Sequence, residues 1–203
     1  MEEIILNDLQ KDALREIGNI CSGNAATALS QLLKKKIDIV VPNILFLPTE
    51  EVPNVVGGSN TLVVGLVIRV LGDLPSTIIF IFSQEDALIL ASLMTGRPIT
   101  KSSLIGDLEH SALKEIGIIL TNAYLGALGS FISMSFVPTV PELIVDMAGA
   151  IVDYILIELS CKSQSALLID SVFSEPSTSI KGHFFIIPNP EGLAIILRTI
   201  KNP

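Results

Sequence analysis

The stretch Lys11-Asp12-Ala13-Leu14-Arg15-Glu16-Ile17-Gly18-Asn19-Ile20 returns 99 residues later as His110-Ser111-Ala112-Leu113-Lys114-Glu115-Ile116-Gly117-Ile118-Ile119. Six of the ten aligned positions are identical, and Arg15 aligns with Lys114, so the charge is kept. The same offset sets Ala28 on Ala127, Leu29 on Leu128 and Pro42 on Pro141, and a looser echo joins residues 80–93 with 184–197. Self-similarity at a fixed period marks a duplicated unit. The reading is one domain built of two repeats, residues 1–100 and 101–203.

Each repeat opens with an apolar pattern of helical period. Asn7 or Asp8 suits a helix N-cap, and Leu9, Ala13, Ile17, Ile20, Leu29 and Leu32 are among the apolar positions that follow, so a helix is predicted to about residue 35. A strand is predicted over 37–47, ending at Pro48, then a loop over 50–60 marked by Pro53, Gly57 and Gly58. Strands at 61–71 and 76–82 flank the turn Gly72-Asp73-Leu74-Pro75, and a helix over 84–95 stops at Gly96. The second repeat reads as a helix over 107–133, strands near 143–148, 150–160, 166–172 and 180–187, and a short helix over 190–199. The fold class is therefore α+β: an internally duplicated, pseudo-two-fold antiparallel β-sheet. Two long helices are layered on it and a short helix ends each half.

Composition narrows the function. With 49% apolar and 17% charged residues and a mean hydropathy of +0.63, the 203-residue chain has ample means to bury a core. A net charge of −8 argues against nucleic acid or an anionic membrane as partner and favours a partner with a basic patch. The acidic start Met1-Glu2-Glu3, followed by no long apolar run, does not read as a signal peptide, and none is expected. The stretch 116–141 lacks charge, but Thr121, Asn122, Ser130, Ser133 and Ser135 make it a buried core helix rather than a membrane span. The two cysteines, Cys21 and Cys161, are widely separated, as are His110 and His183, which indicates neither a metal site nor a disulfide framework. Cys21 reads as a small core residue. A cytoplasmic protein without a metal of its own is expected.

At about 100° per residue, Asp12, Glu16 and Asn19 fall within about 60° on one helical face, and Gly23 extends the stripe by a turn. A stripe of polar residues is usually just a solvated face, and small residues usually pack against a neighbour. Here, however, the stripe recurs as Ser111 and Glu115 together with its Ile-Gly neighbours. Glu16 and Asn19, three residues apart, can address one small target. Gly18, Ser22 and Gly23 are poor helix formers, each costing about 0.5–1 kcal/mol relative to Ala. Their presence suggests a close approach to the backbone.

Asp12, Glu16 and Asn19, with Pro42 placed 23 residues after the Asn and Gly-Asn-Ala-Ala at 23–26, resemble the signature of the CheC/CheX/FliY family of chemotaxis response-regulator phosphatases. The second copy supplies Ser111, Glu115 and Pro141. The likeness spans essentially the whole chain and is closest to CheC, which carries two copies. The resemblance implies hydrolysis of the aspartyl phosphate of a CheY-like response regulator, with Glu16, Asn19 and Glu115 as catalytic residues. Asp12, Gly23 and Ser111 would be binding residues. It implies no cofactor on this chain, since the divalent metal would belong to the phosphorylated regulator, and it allows the receptor deamidase CheD as a further partner docked by the 190–199 segment. The chain departs from the family at Ile118, which stands where an Asn is needed and cannot hydrogen-bond through its side chain. The second site is therefore read as degenerate, with Asn122 one turn further on as a possible substitute. Two other readings are an adaptor for CheD with weak catalysis and a structural part of the flagellar switch like the FliM middle domain. Glu16 and Asn19 together speak against the latter.

Overall fold

The computed structural model describes residues 8–99, 105–158, 165–175 and 178–189, with Gly192, Ile195 and Arg198 beyond them. The elements in chain order are helix α1 (Asp8–Leu33), strands β1 (Asp38–Val40) and β2 (Ile44–Pro48), a 3-10 turn (Thr49–Glu51) and helix α2 (Val52–Val55). Strands β3 (Leu62–Gly72) and β4 (Ser76–Ser83) and helix α3 (Gln84–Thr95) follow. Then come helix α4 (Asp107–Ile132), strands β5 (Phe136–Pro138) and β6 (Glu142–Met147), helix α5 (Ala148–Glu158) and strands β7 (Ser165–Glu175) and β8 (Thr178–Pro188). The starts and ends of α1 and α4 differ by the same 99 residues as the sequence repeat.

All described strands join one antiparallel sheet with the central order β7-β8-β4-β3. The short strands cross over between halves. β1 and β2 lie along β7, whereas β5 and β6 lie along β3. Each half therefore completes the long hairpin of the other, and the β4–β8 pairing sits at the centre. Each edge strand is interrupted at a proline, Pro42 between β1 and β2 and Pro141 between β5 and β6. Proline cannot donate to a ladder and belongs at such edges.

Local chemistry sets the element ends. Ser83 caps α3 by accepting the Asp86 N–H at 3.0 Å, and Gly96 ends it in the left-handed region at φ 70°. The glutamate of the first α4 turn, Glu109, accepts the Gly106 N–H at 3.1 Å. At the β3–β4 tip, Gly72 has φ 110°, and a Cβ there would strike the Ser135 carbonyl. The Asp73 carboxylate accepts the Ser135 N–H at 2.8 Å, which ties this hairpin to the end of α4.

Two cores lie on opposite faces of the sheet. The larger is formed under α1, α3 and α4, where Leu14, Ile17, Leu113, Ile116 and Tyr124 meet Phe80 and Phe184. Tyr124 and Phe80 pack on the Phe184 ring at centroid distances of 4.5 and 4.7 Å. Burying one such side chain stabilises by about 1.5–3 kcal/mol. The smaller core lies under α2 and α5, with Ile151, Ile155, Ile79 and Phe185.

Three readings of the sequence need correction. The strand predicted over 150–160 is helix as far as it is described, because α5 covers Ala148–Glu158. Ile151, Val152 and Ile155 are buried while Asp153 and Ile157 are exposed, so the β-branched run obeys helical spacing over the smaller core. The strand predicted over 37–47 is two strands parted at Val41-Pro42-Asn43, and the loop at 50–60 contains α2. Of the helix predicted at 190–199, the segment expected to dock CheD, only Gly192, Ile195 and Arg198 are described, each as helical; the rest of it and Cys161 lie outside the described residues. No helix among the described residues is long and apolar enough to cross a membrane.

Candidate functional site

Helix α1 buries Leu14, Ile17, Cys21, Ala25 and Leu29, a stripe spaced by three and four residues. That stripe fixes the opposite face. Asp12, Glu16, Asn19 and Gly23 are all exposed, as expected from their positions on the helical wheel. The side chains of Glu16 and Asn19 have no hydrogen-bond or ion-pair partner among the described residues. The Asn19 backbone carbonyl accepts the hydroxyl of buried Ser22 at 3.0 Å. Asp12 is engaged differently from the other two: its carboxylate receives Arg15 at 3.1 Å in an exposed ion pair.

The small residues around the pair divide into two groups. Gly18 and Ser22 are buried and face the protein. A Cβ at Gly18 would collide with Cδ1 of Ile44 and lie 3.5 Å from Cγ1 of Val41, so this glycine lets α1 settle on the β1–β2 edge. A Cβ at Gly23 would meet nothing within 4 Å, and this exposed glycine leaves open space beside the α1 backbone. Close approach from outside is therefore available at Gly23, and the approach at Gly18 comes from the chain's own strand.

The α4 copy has the same scaffold with different contents. Leu113, Ile116, Leu120 and Tyr124 are buried at the equivalent spacing, and a Cβ at Gly117 would lie 3.2 Å from Leu66 Cδ1 and 3.4 Å from Pro141 Cγ. Glu115 is exposed and Ile118 half-buried. The Ser111 hydroxyl donates to the Asp107 carbonyl at 2.8 Å. Asn122 is exposed, and it stands at the junction of two grooves. One, of about 610 Å³, runs between α1 and α4 past Ile20, Asn24 and Phe131. The other, of about 400 Å³, lies between α4 and the Ser133–Phe136 connection. The inter-helix groove was not foreseen from the sequence. Its signal was the row Ala28, Ala123, Gly126 and Ala127, too small to close the space between two helices.

Among the described residues the α1 thiol, Cys21, is buried rather than on this surface. Burial pushes the Cys21 thiol up to about 12, and its neighbouring hydrogen bonds only partly oppose this. Cys21 thus behaves as a core residue. Among the described residues no group of three or more His, Cys, Asp or Glu side chains gathers as a metal site.

Comparison with known proteins adds a decisive observation. Over 188 residues, 91% of this chain and 90% of the relative, the sequence is 35% identical to the CheY-P phosphatase CheC of Bacillus subtilis (strain 168). The chain belongs to the CheC-like family. A sequence model of that family matches residues 9–45, which include Glu16, Asn19, β1, the break at Pro42 and Ile44. The flagellar motor switch phosphatase FliY of the same organism is 31% identical over 111 residues, covering 54% of this chain and 29% of that protein. The crystal structure of Thermotoga maritima FliY covers 98% of both chains with a TM-score of 0.76 at 16% identity, which establishes a shared fold. The mixed helix-and-sheet architecture of this CheC-like chain is thus the one read from its repeats.

Proposed function

We propose that this chain is a phosphatase that hydrolyses the aspartyl phosphate of a CheY-like response regulator. Glu16 and Asn19 form its working pair, and Glu115 with Ile118 forms a degenerate counterpart. The reading is supported by the 35% identical relative, which is named a CheY-P phosphatase. The observation that carries it is the exposure of Glu16 and Asn19, with unpartnered side chains, on a helix whose other face is anchored in the core.

The residue types suit the chemistry. An acyl phosphate is already reactive, so hydrolysis needs a water held in line with the scissile bond as the nucleophile, and no nucleophilic side chain on this chain. The Asn19 amide can accept from that water and donate to a phosphoryl oxygen. The Glu16 carboxylate can pair with a lysine beside the partner's phosphate and fix the docked pose. Gly23 leaves room for the partner to approach the α1 backbone, and Asp12 with Arg15 borders the contact. No cofactor on this chain is needed, and the divalent metal belongs to the regulator. In this reading the chain works as one domain of two repeats in the cytoplasm.

The test is the decay of a phosphorylated CheY-type regulator with and without the purified chain. Accelerated decay is expected, and an unchanged rate would overturn the proposal.

A further inference from the structure

We propose that Gly18 is a positioning residue for the Glu16–Asn19 surface, acting as one half of a joint whose other half is the broken edge strand at Val41–Ile44. The inference rests on the reading of Glu16 and Asn19 as the working pair.

The joint is visible in the packing. Gly18 lies between Ile17, which is buried in the larger core, and Asn19, which is exposed, so it occupies the boundary where α1 turns from core to solvent. Its missing side chain is replaced by the end of Ile44, and Val41 flanks the same spot. Both belong to the segment around Pro42, where β1 and β2 part. If that edge ran on unbroken, its side chains would alternate between the faces, and Val41 and Ile44, three apart, would point to opposite sides. The break brings both onto one glycine. The height and roll of α1 over the sheet are therefore set one residue from Asn19, by the contact of Ile44 and Val41 with Gly18.

The second half has a looser joint. Its equivalent glycine, Gly117, would place a Cβ near Leu66 and Pro141 at 3.2 and 3.4 Å, without the collision found at Gly18. The tighter seat thus lies under the copy that retains both Glu and Asn.

A methyl at Gly18 meets chiefly the free end of Ile44, which can swing aside, whereas a branched side chain reaches Ile44 and Val41 together. The expected effect is thus graded. Gly18→Ala should slow turnover several-fold, and Gly18→Val by about 10²-fold, the scale of an ångström-sized misplacement of a catalytic group. Ala is the better helix former, so Gly18→Ala should not lower the melting temperature even as turnover falls. A merely structural glycine would move both in the same direction. Ile44→Ala, which empties the seat, should restore turnover to Gly18→Val but not to Asn19→Ala.

The experiment measures phosphoregulator decay, melting temperature and the Asn19 side-chain amide NMR signal for these variants. A displaced amide signal in Gly18→Val that returns in Gly18→Val/Ile44→Ala is expected, and this reads positioning even if the wild-type chain has no phosphatase activity. Wild-type inactivity would overturn the proposed function alone. An unmoved Asn19 signal, full activity in Gly18→Val, or no rescue in a folded double variant would overturn the joint.

Discussion

The Cys21 thiol donates to the backbone carbonyl of Tyr124 at 3.5 Å and so links α1 to α4 within the helical layer. Tyr124 in turn shares a 3.1 Å hydrogen bond with Ser171 on β7. One chain of contacts thus runs from the back of the Glu16–Asn19 helix through α4 to the sheet. Both ionisable members are held protonated, since burial pushes the thiol and the phenol each up to about 12.

That linkage predicts alkaline sensitivity. In the unfolded chain the thiol ionises near 9.0 and the phenol near 10.0. Above those values the unfolded state holds fewer protons than the native state, so stability falls as pH rises toward 12. Below about pH 8 the two groups contribute their full stabilisation and no slope. Urea unfolding at several pH values should show the decline beginning near 9. Tyr124→Phe should cost about 1 kcal/mol at neutral pH through the lost hydrogen bond and make the alkaline decline shallower. An unaltered slope in that variant would remove Tyr124 from the explanation.

Asn19→Ala should abolish most phosphatase activity without harming the fold. The side chain is exposed and unpartnered among the described residues, so its removal leaves no buried group unsatisfied. Losing one oriented polar group at a reacting centre costs about 10²–10³ in rate. The check is phosphoregulator decay alongside a melting curve. Wild-type decay in a protein of wild-type stability would exclude Asn19 from the chemistry.

Glu16→Lys should weaken docking as well as turnover, because a cation opposite a partner lysine turns attraction into repulsion. Titration against a regulator carrying a stable phosphate mimic is the measurement. Unchanged affinity would assign Glu16 another role.

How far these sites could be read beforehand depends on whether the signal is local. The long helices declare themselves because Leu14, Ile17 and Cys21 recur as Leu113, Ile116 and Leu120 at helical spacing. The exposure of Glu16 and Asn19 follows from that stripe. Helix α5 was missed because Ile151-Val152 and Ile155-Leu156-Ile157 satisfy strand propensity and helical spacing alike, and only the smaller core decides between them. The crossed pairing of β1 and β2 with β7 is not a local property and leaves no periodic trace. Nor does composition distinguish Gly18, which faces Ile44, from Gly23, which faces solvent.

The difference between the two copies yields the sharpest test. If Asn19 orients the water and Ile118 silences the second surface, Glu16→Ala/Asn19→Ala should be inactive despite the exposed Glu115. Ile118→Asn should then create a working site, since α4 carries Glu115 and Ser111 on a scaffold offset by the same 99 residues as α1. Two structural facts limit the gain. Ile118 is half-buried, so placing an amide there loses some apolar contact, at a cost of about 1 kcal/mol. The Ser111 hydroxyl is also turned back to the Asp107 carbonyl, unlike the Asp12 carboxylate, which pairs with Arg15. In a chain with its first site intact the added activity would be small against the background. It should be plain in Glu16→Ala/Asn19→Ala/Ile118→Asn, where any accelerated phosphoregulator decay must arise on α4. Asn122, one turn on, is already present in the inactive double variant and so serves as its own control. If the folded triple variant is no faster than the double, the α4 surface has diverged by more than one missing amide.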